Sequence, residues 1–202
     1  MKKSSLLILL LCLVIPLVGC GKEEDLRTDA VKFKEEYESL NKTQDEDGSL
    51  YRTITIDEEN PIVYTTYEKL SSLIDEKKNF LVYFGSKKSK YSRSVVPYLI
   101  KQAKNQGIDV IYYVELAKEE TEEGVKAADV DDMYYQQMMK KMNEKDVTDS
   151  TLAVFVNGNL AGKSSIVSTK QTDGNMELTK DMKDEMTAKC KQIYITYNSN
   201  RG

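Results

Sequence analysis

The sequence predicts an α/β fold, with a mixed central sheet and helices on both faces. Three observations carry that reading. Apolar runs of strand length alternate with amphipathic helical stretches across 49–202. Two runs, 80–84 and 110–114, are apolar without interruption, as in strands covered on both sides. Asn157-Gly158 follows a further apolar run and signals a tight hairpin, because both turn positions need positive φ.

Each element has its own signal. Residues 51–56 alternate apolar and polar side chains and predict a first strand, and Asn60-Pro61 marks a turn. Tyr67, Leu70, Leu73 and Ile74 share one face of a helix ending near Lys77. The strand at 80–84 stops at Gly85. Val95, Val96, Leu99, Ile100 and Ala103 predict a helix over 89–106, closed by Gly107. The strand at 110–114 leads into an acidic stretch, 115–149, that predicts a helical insert of two helices broken near Asp129. A strand at 152–156 precedes Asn157-Gly158, and its hairpin partner falls within 159–167. Leu178, Met182, Met186, Cys190, Ile193 and Tyr197 keep three- and four-residue spacing and predict a last helix over 177–197. Strands joined through helices pair in parallel, while the hairpin adds an antiparallel edge.

Two segments precede this body. Residues 1–19 place Lys2 and Lys3 before an apolar core from Leu6 to Val18, too short to span a bilayer comfortably, so they read as a secretion signal. Leu17-Val18-Gly19-Cys20 resembles the lipobox of bacterial lipoproteins. The resemblance implies cleavage before Cys20, a diacylglyceryl group on its thiol and acylation of the new amino terminus. Two or three acyl chains anchor a protein firmly. The expectation is an extracytoplasmic protein, lipid-anchored to a bacterial cell membrane. Residues 20–48 are polar and charged, with Val31, Phe33, Tyr37 and Leu40 partly at helical spacing, and read as a partly helical tether.

Composition narrows the chemistry. The chain of 202 residues has 29 basic and 33 acidic side chains; without Lys2 and Lys3 the balance is 27 against 33, or −6. An acidic chain has no general attraction to nucleic acid. Histidine is absent, which removes Ser-His-Asp and Cys-His catalysis and the commonest metal ligand. Cys12 leaves with the signal and Cys20 takes lipid, so Cys190 is the one remaining thiol. No cysteine zinc site and no intramolecular disulfide follow from that count. Cys190 lies on an apolar stripe and reads as a buried, inert thiol. Glu119, Glu120, Glu122 and Glu123, with Asp131-Asp132, lack the spacing of a calcium loop and read as a solvated face. Met133, Met138, Met139 and Met142, with Tyr134 and Tyr135, read as core packing before an adaptable binding surface. No metal or cofactor is expected.

Tyr83-Phe84-Gly85, then Ser89-Lys90-Tyr91-Ser92-Arg93 and Pro97, resembles the active-site strand, loop and helix of secreted bacterial thioredoxin-like proteins. Thr151 to Gly158 resembles the later hairpin of that family. The resemblance implies a thioredoxin-like fold and places the two cysteines of Cys-x-x-Cys at Ser89 and Ser92, and the cis-proline at Ser150. A Cys-x-x-Cys pair needs a depressed thiol pKa and a resolving sulfur, neither of which serine offers. A non-proline cis bond costs about 2.5–4 kcal/mol, so Asp149–Ser150 is expected trans, with a remodelled loop. The expectation is a redox-inactive domain with no catalytic residue, binding a protein or peptide partner. The rival is a thiol–disulfide oxidoreductase whose cysteines are exchanged for serine. Lys87, Lys88, Lys90, Tyr91 and Arg93 form the candidate surface for an anion or a partner carboxylate, against the plainer reading of solvated loop charges.

Overall fold

The computed structural model describes residues 28–116, 118–121, 124–127, 133–145 and 147–201. The expected signal segment, 1–19, and Cys20 lie outside them. Among the described residues no helix is long and apolar enough to cross a membrane.

Five strands form the main sheet: β1 (Ile62–Tyr64), β2 (Phe80–Gly85), β3 (Ile111–Glu115), β6 (Thr151–Val156) and β7 (Asn159–Ser165). Their order is β1-β3-β2-β6-β7. β1 and β2 run parallel to β3, while β6 is antiparallel to both β2 and β7. Period-two alternation sorts β2 onto two cores. Leu81 and Tyr83 face α1 (Asp29–Glu38), α3 (Lys90–Asn105) and α5 (Lys180–Asn198). Phe80, Val82 and Phe84 face α2 (Tyr67–Asp75) and α4 (Met133–Met142). Both sides of β2 are dry, which is why its sequence reads as an unbroken apolar run.

The hairpin turn forms as its dipeptide demands, with φ of 49° at Asn157 and 72° at Gly158. A Cβ at Gly158 would stand 2.2 Å from the Ile74 carbonyl oxygen, so glycine is needed for contact as well as conformation. Thr28, Thr66, Ser89 and Thr179 cap their helices, each side chain accepting from a backbone N–H three residues on.

Three expectations need correction. Residues 51–56 belong to no strand. Their alternation is real, since Tyr51, Ile54 and Ile56 are buried. Side chains take the place of a neighbouring strand: Ile54 N donates to Asn41 Oδ1 at 3.0 Å, Asn41 Nδ2 to Ile54 O at 2.8 Å, and Ile56 N to Glu38 Oε1 at 2.7 Å. The segment 20–48 is not a tether throughout. From Thr28 onward it belongs to the folded body, because α1 buries Phe33 and Tyr37 completely in the larger core. The insert at 115–149 is only partly helical. β4 (Lys118–Thr121) and β5 (Gly124–Ala127) pair antiparallel, and α4 supplies the one helix described there. A helix through 119–123 would stack glutamates three and four residues apart, which opposes it.

Candidate functional site

The turn from β2 into α3 gathers the polar side chains of interest. Ser89 is the N-cap of α3 and its Oγ accepts from Ser92 N at 3.2 Å. Ser92 is fully buried in the first turn. Its Oγ donates to Asp149 Oδ1 at 2.6 Å, accepts from Ser86 N at 3.1 Å, and lies 3.0 Å from the Tyr83 hydroxyl and 3.3 Å from Ser150 Oγ. Ser89 Oγ donates to the other oxygen of the same carboxylate, and Ser150 Oγ reaches that oxygen at 3.0 Å. Asp149 thus bridges both serines at the positive end of a sixteen-residue helix.

The loop before β6 brings Asp149 there. Ser150 is fully buried with φ of 63°, and none of the described peptide bonds is cis. Ser150 O accepts from Ile166 N at 2.9 Å, and the Thr148 and Thr151 hydroxyls meet at 3.0 Å. An acid in this place fits the chemistry, because a carboxylate accepts hydroxyl hydrogens and complements a helix N-terminus.

A second network adjoins the first. Glu115 closes β3 opposite Gly85 of β2. Its Oε1 accepts from Ser86 Oγ at 2.9 Å and Lys87 N at 3.0 Å, and its Oε2 from the Tyr113 hydroxyl. Tyr113 OH lies 3.2 Å from Tyr37 OH. Ser86 joins the networks, giving its N–H to Ser92 and its hydroxyl to Glu115. Burial pushes the Glu115 carboxyl up from its ordinary value, against the donors around it. Burial also raises the phenols of Tyr37, Tyr83 and Tyr113 well above theirs, so all three stay neutral donors at physiological pH.

The candidate anion surface is not assembled as expected. Arg93 is fully buried. Its guanidinium reaches four oxygens: Tyr37 O at 2.5 Å, Lys87 O at 3.5 Å, Asn41 Oδ1 at 2.8 Å and Arg52 O at 2.8 Å. The Tyr51 ring lies 5.3 Å away, and burial lowers the guanidinium pKa. Arg93 is a rivet joining α3 to the 37–52 segment, not a ligand for an outside anion. Lys90 pairs with Asp45 at 3.2 Å and Asp47 at 2.6 Å, and Lys87 with Glu36 at 3.1 Å. Lys88 is exposed, and Tyr91, 37% exposed, donates its hydroxyl to Thr172 O at 3.1 Å. The anion at the helix start is the chain's own Asp149.

Cys190 is buried in the core, with its thiol pushed up to about 12 by burial. Met138, Met139 and Met142 pack inward with Tyr135, while Met133 is exposed. Among the described residues no cluster of histidine, cysteine or acidic side chains has the form of a metal site.

Two parallel strands beside β2, an antiparallel hairpin on its other side and a helix starting directly after β2 define the architecture. The fold is thioredoxin-like. No protein-family model matches the chain, and no curated protein sequence does. Among solved structures, the chain is similar to a thioredoxin-fold protein described as an oxidoreductase (17% identity, TM-score 0.37, covering 52% of this chain and 81% of that one). It is similar to oxidised thioredoxin O2 from Arabidopsis thaliana (15% identity, TM-score 0.34, 52% and 82%). It is also similar to oxidised thioredoxin from Plasmodium falciparum (16% identity, TM-score 0.37, 68% and 97%). On this thioredoxin-like scaffold the β2–α3 corner holds hydroxyls and a carboxylate.

The sequence pointed to Ser86, Ser89, Ser92 and Ser150 but gave no role to Asp149 or Glu115. A signal for Glu115 was present. Glu115 follows directly on the apolar run 110–114, and the register sets it opposite Gly85 at the end of β2.

Proposed function

We propose that this chain is a lipid-anchored extracytoplasmic protein whose thioredoxin-like domain binds a protein or peptide partner and performs no thiol–disulfide exchange. The observation that carries the reading is the pair Ser89 and Ser92, both hydrogen-bonded to Asp149. These residues stand where the family resemblance puts the sulfur pair. Hydroxyls donate well to a carboxylate, whereas thiols donate weakly. A carboxylate beside two sulfurs would also oppose the thiolate that starts exchange. The one thiol in the body, Cys190, is buried and held protonated. Lys88 and Tyr91 are the accessible members of the corner and the first candidates for partner contact. The lipobox at 17–20 supports anchoring through Cys20 and placement at the cell envelope.

An insulin-reduction assay tests the redox half. The unaltered chain is expected to show no turnover. The S89C/S92C chain is expected to be slower than S89C/S92C carrying Asp149→Asn, because the carboxylate raises the new thiol pKa values. Turnover by the unaltered chain overturns the reading. A double-cysteine chain as fast as the triple variant favours the rival, an oxidoreductase with exchanged cysteines. Detergent partitioning tests the anchor: the wild type is expected in the detergent phase and Cys20→Ser in the aqueous phase.

A further inference from the structure

The chain between β7 and α5 lies against the first turn of α3 at residues 170–177. Both ends of this segment are fixed on α5. Ser168 Oγ donates to Glu185 Oε2 at 2.6 Å and Thr169 N to Glu185 Oε1 at 2.9 Å, while Thr179 caps the helix just after buried Leu178. Between the ends, Gly174 is pressed onto the pair Lys90-Tyr91 that separates Ser89 from Ser92. A Cβ there would stand 2.6 Å from Lys90 C and 2.8 Å from Tyr91 N. Gly174 has no positive φ, so contact alone demands glycine. The Tyr91 hydroxyl is held as well, by its bond to Thr172 O at 3.1 Å.

The hold is almost wholly polar. Gln171 Nε2 donates to Ser94 Oγ at 3.0 Å, and Asn175 Nδ2 to Leu50 O at 2.9 Å. Arg52 donates to Gly174 O at 3.4 Å and also to Met176 O. Met176 is the one apolar side chain in the segment, and it is only half-buried. Along the same seam Asn175 Oδ1 and Arg52 Nε are buried with no hydrogen-bond partner among the described residues. A buried polar atom left unpaired costs free energy, and water relieves that cost on opening. Sparse apolar burial between firm anchors marks a segment of low local stability. The far side of the seam is fastened, because Arg93 donates to Arg52 O at 2.8 Å.

We infer that residues 170–177 are a strap that lifts as a unit from α3 and so frees Tyr91 for a partner. Gating of this kind rests on the partner binding proposed above, but lifting is measured without a partner, so each can fail alone.

Hydrogen exchange and tyrosine nitration of the full chain in a non-ionic sugar detergent test it, with Gly174→Val to drive the strap off. In the wild type, 170–177 is expected to exchange well ahead of β2. In the variant, exchange across the whole of 170–177 and nitration at Tyr91 are expected to rise severalfold, while 43–52, β2 and α5 keep wild-type exchange. Faster exchange confined to 173–175, with Tyr91 nitration unchanged, would overturn the strap. Wild-type protection of 170–177 equal to that of β2 would overturn it too. If Gly174→Val also loosens β2, Tyr91→Phe takes its place, lacking only the hydroxyl that holds Thr172 O. Raised exchange across 170–177 in that variant supports the strap, and unchanged exchange overturns it.

Discussion

Glu115 shows how one side chain can set a pH response. Its pKa is raised in the folded chain, chiefly by burial. An unfolded glutamate titrates near pH ~4.3. Between that value and the raised one, the folded state holds more protons than the unfolded, so stability falls as pH rises through the window. The stabilising contribution is complete below the unfolded pKa and is lost above the folded one. Glu115→Gln removes the titration while keeping an acceptor for Ser86 and Lys87. Urea unfolding from pH 4 to 8 is expected to show a flatter profile for the variant. A slope equal to that of wild type would show that Glu115 does not carry it. Arg93 makes a complementary point about what sequence can reveal. Its charge suggested a surface site, yet it shares a helix face with Val96 and Ile100, three and seven residues on, both buried. That spacing marks it as inward-facing. Asp149 was harder to find, because its role depends on a loop conformation that no periodic pattern encodes.

At the level of elements, long periodic segments were readable and irregular ones were not. α2, α3, α5, β2, β3 and β6 fall within a few residues of their sequence signals, since each buries a full stripe or face. Residues 51–56 mimic a strand because alternation reports burial, and burial does not require a neighbouring strand. That segment is held by side chains, with Arg93 as the central fastening. Arg93→Met keeps the aliphatic volume but leaves Tyr37 O, Arg52 O and Asn41 Oδ1 without their charged donor. A loss of about 3 kcal/mol is expected from hydrogen bonds of this type. Limited proteolysis is expected to find new cleavage within 41–52 while α3 stays protected. Unchanged cleavage in the variant would show the rivet to be dispensable.

For the whole molecule, the order of elements was enough to predict a mixed sheet covered on both faces. The place where the body begins was not, because a single short helix with four apolar residues resembles a solvated linker. Phe33 and Tyr37 decide the matter by being wholly buried beside Tyr64 and Tyr113. Burying two such rings is worth roughly 4 kcal/mol, a large share of a typical domain's 5–15 kcal/mol. A chain spanning 28–202 is therefore expected to unfold cooperatively on heating, and one spanning 50–202 to lose that transition or melt far lower. Equal melting of the two would show α1 to be an accessory.

The seating of α1 also sets a geometry for attachment. Only seven residues, 21–27, lie between Cys20 and Thr28, a span of eight steps along the chain. A peptide of that length reaches no further than about 28 Å, even pulled straight. Tyr64 N donates to Asp29 Oδ2 at 3.0 Å, so the start of α1 and the end of β1 are one corner of the molecule. Under the acylation of Cys20 proposed above, that corner would be held on a short leash against the bilayer, and any companion would meet the protein within the headgroup zone or just above it.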